Sequence, residues 1–441
     1  MRGQIGAIGR RKPHGAHRFP AQSVALQGGR AVLMSNRTSL MVLFGTMVIY
    51  VFGIGVMLPV IPLLVKELSG DAVGKAATLY GALLSLYALM QFLFGPAFGA
   101  LSDRFGRRPI MLISLAGLGI DYILLAVAPN LWVVAIARII GGIMGASVAT
   151  ATAYIADITP PEKRAANFGL IGAAFGVGFI AGPLIGGVLG EFGSRVPFYA
   201  AAGVSAIAFL FAFFLLPESL DHAHRRPFRL AEANPIGAFM VVLRYKAVLA
   251  LLSLFVIAQL AERMLEANWV LYTGYRFGWT AAQVGISLAL VGVLVVITQG
   301  GLVRVVVPKI GERITIKMGF TVAALCMVGI AFASQPWMIY VIIVPYVLGW
   351  GLTAPAVQSL ITRQVPPNEQ GILQGAISSA QTVTGIIGPP VAGSVFGYFI
   401  GPVAPIHLPG AAFLLGAVLF VVGLAVAWKG VRAAAPATGD D

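Results

Sequence analysis

A short charged segment interrupts the apolar sequence at Gly99-Ala-Leu-Ser-Asp103-Arg104-Phe-Gly106-Arg107-Arg108-Pro109. Long apolar blocks lie directly before and after it. Gly106 permits a tight turn, because glycine adopts backbone conformations that other residues avoid. Asp103 and the arginines that follow can form ion pairs that exchange partners at a membrane surface. A simpler interpretation is that the arginines only supply the positive charge typical of cytoplasmic loops.

Apolar blocks of membrane-spanning length occupy most of the chain. Of the 441 residues, 58% are hydrophobic and only 10% are charged, whereas soluble domains carry about 25% charged residues. A helix needs roughly 20 apolar residues to cross the hydrocarbon layer, and its backbone must satisfy its own hydrogen bonds there. We therefore predict an all-α membrane protein with twelve transmembrane helices. The predicted helices are 39–64, 77–101, 110–127, 131–155, 168–189, 197–216, 247–272, 281–303, 318–333, 337–361, 371–399 and 409–428.

The distribution of Lys and Arg predicts the orientation. Basic residues concentrate in the terminal segments and in alternate loops, and only Lys66, Lys75, Arg195 and Arg276 fall in loops of the opposite side. By the positive-inside rule, we expect both termini in the cytoplasm of a bacterial cell and the chain in the inner membrane. Because the net charge of +14 lies mostly in these loops, we predict contact with the lipid bilayer and no nucleic-acid binding.

A long polar loop divides the predicted helices into two sets of six. The predicted parts are a basic, disordered cytoplasmic tail (1–38), an N-terminal bundle (39–216), a cytoplasmic linker (217–246), a C-terminal bundle (247–428) and a second tail (429–441). A repeat at a spacing of 206 residues supports this division. Its members are Pro160, Pro161, Gly169, Ile171, Ile180, Gly182, Pro183 and Gly187, matched by Pro366, Pro367, Gly375, Ile377, Ile386, Gly388, Pro389 and Gly393. Two pseudo-symmetric bundles around a midplane site are typical of secondary transporters.

Asp121 and Arg138 carry charge inside predicted helices, where a charge costs at least ~2.5–3.5 kcal/mol. Both lie at a depth of about 10 Å from the same end of their helices, at a rise of ~1.5 Å per residue. A short turn joins these two helices, so we predict that the residues pair and that proton or substrate competes for the pair. The alternative is a static buried salt bridge.

The predicted seventh helix carries Glu262, Arg263 and Glu266. The two glutamates share one helix face, and Arg263 lies three residues before Glu266. Arg263 can neutralise one glutamate and leave the other to titrate. The alternative is that this segment lies near the outer interface and is merely hydrated.

Small residues recur on the predicted fifth helix. Gly178, Gly182 and Gly186 stand four residues apart, with Pro183 and Gly187 beside them, which gives a smooth face for close helix packing. Packing alone is one interpretation, and a role in coupling is the other. Separately, aromatic and amide side chains in other helices are candidates for lining a substrate cavity, although many such residues only pack or anchor at the interface. These candidates are Tyr50, Asn268, Trp269, Gln358 and Gln381.

From about residue 39 to 428 the chain resembles the major facilitator superfamily and, within it, the bacterial tetracycline/proton antiporters. The segment 99–109 is similar to the superfamily signature. Motifs similar to the antiporters are Tyr87-Ala-Leu-Met-Gln91, Gly119-Ile-Asp121-Tyr122, Arg276-Phe-Gly-Trp279 and Pro366-Pro-Asn-Glu-Gln-Gly-Ile-Leu-Gln-Gly375. The resemblance implies that the charged segment is a conformational latch between the halves with Asp157 as its partner. It also implies functional roles for Asp121 and Arg138, and the glycines of helix 5 match the antiporter motif, which indicates export.

The chain departs from the antiporter pattern at three positions. Tyr50 stands where the pattern has an acidic residue in helix 1, Ala323 where it has one in helix 9, and Val296 where it has a histidine in helix 8. The resemblance therefore does not establish tetracycline as the substrate. We expect Glu262 and Glu266 to replace the missing acids.

These observations predict a drug/proton antiporter that works by alternating access. A small amphipathic, drug-like compound, tetracycline-like or a cation, binds from the cytoplasm and leaves outward as a proton enters at Asp121 and at Glu262 or Glu266. The alternatives are a proton symporter or facilitator for a small nutrient or metabolite on the same fold, and a non-transporting membrane receptor. The sequence has no recognisable phosphate-binding loop, metal cluster or nucleophilic triad. We therefore predict a monomer with no enzyme activity, no metal and no cofactor, driven by the proton gradient.

Overall fold

The computed structural model describes residues 36–433 apart from 71, 146, 222, 224, 226–245 and 367–369. The predicted N-terminal tail up to residue 35, most of the predicted linker and residues 434–441 of the second tail lie outside the described residues. So does Pro367 of the repeat. The described part is helical and contains no strand.

Sixteen α-helices make up the described chain. They are α1 (Asn36–Met57), α2 (Ile61–Leu68), α3 (Val73–Phe105), α4 (Arg107–Val127), α5 (Leu131–Met144), α6 (Ser147–Ile158), α7 (Pro161–Gly190), α8 (Val196–Leu215), α9 (Lys246–Glu266), α10 (Trp269–Phe277), α11 (Ala281–Ile297), α12 (Val303–Ile310), α13 (Glu312–Phe332), α14 (Pro336–Thr362), α15 (Gln370–Ile400) and α16 (Ala411–Ala433).

These helices form twelve stretches that are long and apolar enough to cross a membrane, which confirms the predicted fold class. Six stretches end by Leu215, and six begin at or after Val248. Their outer faces carry large exposed apolar side chains, such as Leu325 at 68% and Phe214 at 75% exposure. Exposed apolar surface on this scale is typical of contact with lipid.

Two predicted helices are broken. The predicted helix 247–272 ends at Glu266 and resumes at Trp269, and the Asn268 side chain donates to the carbonyl oxygens of Met264 and Ala392 at the break. The predicted helix 281–303 contains a π-helical turn, Thr298–Leu302, that includes two consecutive glycines. Breaks inside spanning helices are common where a helix lines a cavity.

Two glycines mark one end of the bundle. Gly106 begins α4 at φ +108° and Gly311 begins α13 at φ +79°, conformations that favour glycine. We call the end with Gly106 and Gly311 the inner end. The opposite end, which holds Gly193 and Gly278, is the outer end.

The two halves contact each other closely near the outer end. A Cβ atom added to Gly74 of α3 would lie 3.0 Å from the Gly397 carbonyl oxygen of α15, and one added to Gly187 of α7 would lie 3.0 Å from the Gly285 Cα of α11. Towards the inner end the space opens. A Cβ atom added to Gly99 of α3, or to Gly169 or Gly172 of α7, would meet no described atom within 4 Å. The bundle is therefore closed at its outer end and open at its inner end.

Candidate functional site

Asp121 of α4 and Arg138 of α5 form an ion pair in the interior of the N-terminal half. The Arg138 Nη2 atom lies 2.7 Å from both carboxylate oxygens of Asp121. Gly141, one turn further along α5, makes room for the carboxylate, since an added Cβ would lie 2.8 Å from the Asp121 Oδ2 atom. The structure brings together the two residues that the sequence predicts as partners.

Aromatic side chains enclose this pair. The Arg138 guanidinium lies 5.7 Å from the centre of the Tyr87 ring, and its Nη1 atom is 3.7 Å from the Met57 sulfur. The Tyr50 hydroxyl is 3.5 Å from the Gly145 carbonyl oxygen. The side chains of Asp121 and Arg138 are 1% and 3% exposed. In this conformation the pair matches the interpretation as a sealed salt bridge. Tyr50 is 5% exposed, so it packs inside the protein and does not line an open cavity.

The charged residues of α9 have a different environment. Arg263 forms an ion pair with Glu266, and these side chains are 21% and 54% exposed. The stem of Arg263 packs on Gly388 of α15, where an added Cβ would lie 2.5 Å from the Arg263 Cβ. Gly388 lies 12 residues before the outer end of α15. The cluster therefore lies well inside the bundle, which argues against the alternative that it is hydrated at the outer interface.

Glu262, one turn before Glu266, is partly buried and forms no ion pair within the described part of the chain. The Trp350 side chain of α14 lies beside its carboxylate. Tyr346, one turn away on the same helix, is 5% exposed, and Glu262 is the charged group that acts on it most strongly. Sequence reasoning missed both aromatic residues, because nothing in the sequence reveals that α9 packs on α14.

Helix α3 contacts the C-terminal half next to the α9 cluster. Tyr80 of α3 is 6% exposed, and a Cβ atom added to its neighbour Gly81 would lie 2.3 Å from the Pro389 carbonyl oxygen of α15. Pro389 follows Gly388, which packs on Arg263. Tyr80 therefore lies at the contact between the halves, close to the α9 cluster.

The remaining cavity candidates divide into two pairs. Asn268 and Trp269 are 0% and 3% exposed, and the Trp269 indole donates to the Ser287 hydroxyl at 2.9 Å. The prediction that they line a cavity is therefore corrected: both join neighbouring helices inside packed protein. Gln381 is exposed one turn from Gly385, a glycine of α15 that faces α3. Gln358 donates to Gln374 at 3.3 Å near the inner end.

The charged segment at the inner end forms an ion-pair cluster. Arg107 lies 2.5 Å from Asp103 and 3.1 Å from Asp157, so the predicted partner is in place. Arg108 donates to the Phe213 carbonyl oxygen at 2.5 Å, and Arg104 is exposed. All of these contacts lie within the N-terminal half. Among the described residues, the predicted latch between the halves is therefore not engaged in this conformation.

Sequence reasoning missed Glu218, which follows the sixth span. Its carboxylate accepts hydrogen bonds from the backbone N–H groups of Arg107 at 2.8 Å and Arg108 at 3.3 Å, the first residues of α4. A carboxylate at a helix N-terminus satisfies free donors and is stabilised by the helix dipole. Glu218 therefore fixes the start of α4 beneath the Asp103–Arg107–Asp157 cluster.

The C-terminal half repeats this cluster with inverted charge. Gly311, Glu312 and Arg363 follow Gly106, Arg107 and Asp157 by 205 or 206 residues, and Glu312 pairs with Arg363 at 2.7 Å. An arginine and an aspartate of the first half thus correspond to a glutamate and an arginine of the second. The spacing of the sequence repeat contained this signal.

The glycines of α7 pack against two neighbours. Gly178, Gly182 and Gly186 face α1, while Gly187 faces α11 beside the carbonyl group of Pro183, which approaches Gly285. The four-residue spacing of these glycines predicts close helix packing, and the structure shows that packing. Because α11 belongs to the other half, Gly187 also forms part of the contact between the halves.

Comparisons with known proteins agree on the family. The model of the Major Facilitator Superfamily matches residues 43–389. The class C tetracycline resistance protein of Escherichia coli is 39% identical over 92% of this chain and 100% of its own length. The class G protein of Vibrio anguillarum is 38% identical over 85% of this chain and 93% of its own length. The crystal structure of the human organic anion transporter MFSD10 (TETRAN) matches with a TM-score of 0.66 and 23% identity over 89% of this chain and 99% of that one.

Proposed function

Since this chain belongs to the Major Facilitator Superfamily and is a multi-pass membrane transporter for small molecules, not an enzyme, we propose that it exports a small amphipathic, drug-like compound in exchange for protons. We place it in the bacterial inner membrane with both termini in the cytoplasm, on the charge distribution of its loops. The compound then enters from the cytoplasm through the open inner end.

The observation that carries this proposal is the solvation of the charges on α9. Glu266 is 54% exposed although it lies well inside the bundle, beside the contact between the halves. An ionisable group persists at such depth only where water or a partner compensates its charge. Glu262 and Glu266 therefore have the access that an exchangeable proton site requires, and they supply the acids that Tyr50 and Ala323 do not.

Asp121 takes a second role in this scheme. Its carboxylate is sealed by Arg138 in the present conformation. Exchange of its proton therefore requires another conformation, in which the inner end closes, the outer end opens and the pair separates. Transport by alternating access requires the protein to alternate between a conformation that is closed at the outer end and one that is closed at the inner end, around the same site.

The direction of transport rests on the relatives. Several tetracycline resistance proteins match over most of their length, and export is how a membrane transporter can confer resistance. Tetracycline itself remains a candidate compound. A growth screen of a pump-deficient strain that expresses this chain, against a panel of antibiotics, identifies the compound.

The test of coupling uses inverted membrane vesicles with an imposed proton gradient. We expect the vesicles to accumulate the compound. The triple variant Asp121→Asn, Glu262→Gln, Glu266→Gln should lose gradient-driven accumulation when it is compared with the parent at equal amounts of folded protein, a control that is needed because Asp121→Asn leaves Arg138 unpaired. Full gradient-driven transport by the triple variant would contradict the proposed proton sites. Gradient-driven uptake by whole cells would instead favour a symporter.

A further inference from the structure

Acidic and aromatic side chains come together where α9 packs on α14. Glu262 and Glu266 stand one turn apart on α9, and Tyr346 and Trp350 stand one turn apart on α14. Trp350 lies beside Glu262, and Tyr346 experiences the charges of both glutamates. The interface therefore combines carboxylate and aromatic groups in one place.

Two carboxylates share one guanidinium at this place. Arg263 pairs with Glu266, and the packing of its stem on Gly388 restricts its reach. Glu262 forms no ion pair among the described residues, although the Arg263 charge also acts on its carboxylate. Because one guanidinium balances only one ionised carboxylate, a mobile positive charge is the natural compensation for the second.

Trp350 is held in position by aromatic packing, and Tyr346 lacks a hydrogen-bond partner for its hydroxyl. The Trp350 ring packs edge-to-face on Phe420 with 6.0 Å between ring centres, and Phe420 packs in the same way on Phe320. The Tyr346 hydroxyl is buried and has no hydrogen-bond partner in the part of the chain that the structure describes. An oriented indole and a free phenol oxygen next to a carboxylate are the groups that bind an ammonium or related organic cation.

We infer that Glu262, Trp350 and Tyr346 form a binding site for the positively charged group of the transported compound, an organic monocation with an apolar body. This inference rests on the proposed function, because it identifies the class of compound that is exported. An anion does not fit, since Arg263 is already paired. A hard divalent metal does not fit either, because it needs several oxygen ligands and the indole has only a donor.

The test measures equilibrium binding to the purified full-length protein in lipid nanodiscs, without any gradient. Tetraphenylphosphonium and tetraphenylborate serve as probes, because they share one shape and carry opposite charges. We expect the phosphonium to bind and the borate to bind at least about tenfold more weakly. Glu262→Gln should weaken phosphonium binding at least about tenfold and leave borate binding unchanged, whereas Glu67→Gln, at the outer end, should change neither.

A second variant tests the contribution of the indole separately from that of the charge. Trp350→Leu keeps every charge and removes the indole, so it should weaken phosphonium binding by about three- to tenfold. The inference is overturned if the phosphonium fails to bind, if the borate binds as tightly, or if folded Glu262→Gln protein binds the phosphonium like the parent. Binding at Glu262 without gradient-driven accumulation in vesicles would instead refute the export mechanism and leave the cation site intact.

Discussion

The two charge clusters contain the same kinds of groups but differ in solvation. Asp121 and Arg138 are 1% and 3% exposed, and one guanidinium nitrogen reaches both carboxylate oxygens. On α9, Glu266 is 54% exposed and pairs with Arg263, whose charge also acts on Glu262. One cluster is sealed and has one guanidinium for one carboxylate, while the other is open and has one guanidinium for two carboxylates. In the mechanism that we propose, this difference separates a carboxylate that exchanges its proton only after a change of conformation from carboxylates that exchange ions in the present one.

The largest expected effect comes from removing one member of the buried Asp121–Arg138 pair and keeping the other. Arg138→Gln leaves Asp121 as an uncompensated charge in packed protein, so we expect a loss of about 3–5 kcal/mol in stability. Thermal unfolding of the purified protein in detergent measures this loss. The double variant Asp121→Asn, Arg138→Gln should recover most of it, because no charge is then buried. A single variant as stable as the parent would show that water reaches Asp121.

A second prediction compares the access of water to the two clusters directly. Cys326 is the only cysteine of the chain, so a Cys326→Ala background accepts a new cysteine at one position. In inverted vesicles we expect cysteine at position 266 to react with a membrane-impermeant thiol reagent at least roughly tenfold faster than cysteine at position 121, since thiol reactivity follows exposure. Both sites can be quantified by mass spectrometry. Equal rates would remove the distinction between a sealed and an open cluster.

The sequence predicted most of the fold, because spanning helices follow from length and composition alone. It also predicted the Asp121–Arg138 pair, because a short turn places these residues at one depth on adjacent helices. It could not predict Tyr346 and Trp350, since the contact between α9 and α14 depends on how distant helices pack. Nor could it separate Asn268 and Trp269 from cavity residues, because an amide or indole suits a buried hydrogen bond as well as a cavity wall.

The helix break after Glu266 is a further feature that the sequence did not predict. The apolar pattern continues through residues 267–272, so composition predicts one uninterrupted helix there. At the break, the Asn268 side chain donates to two backbone carbonyl groups, one of them on α15. A local sequence window does not contain the partner on α15. The break leaves Glu262 and Glu266 at the C-terminal end of α9, beside the contact between the halves.

The smallest expected effect concerns the inverted ion pairs at the inner end. Arg363 is 66% exposed and pairs with Glu312, so exchanging the two as Glu312→Arg, Arg363→Glu should change stability by less than ~1 kcal/mol. Arg107 is only 9% exposed and also contacts Asp103 and the Ser102 hydroxyl, so Arg107→Asp, Asp157→Arg should cost more. Thermal unfolding of the two exchanged variants, side by side, gives the comparison. Because Asp103 would then face a new aspartate at position 107, the N-terminal exchange adds repulsion that the C-terminal exchange lacks. Equal losses would mean that the contacts of Arg107 with Asp103 and Ser102 contribute nothing beyond a simple surface pair.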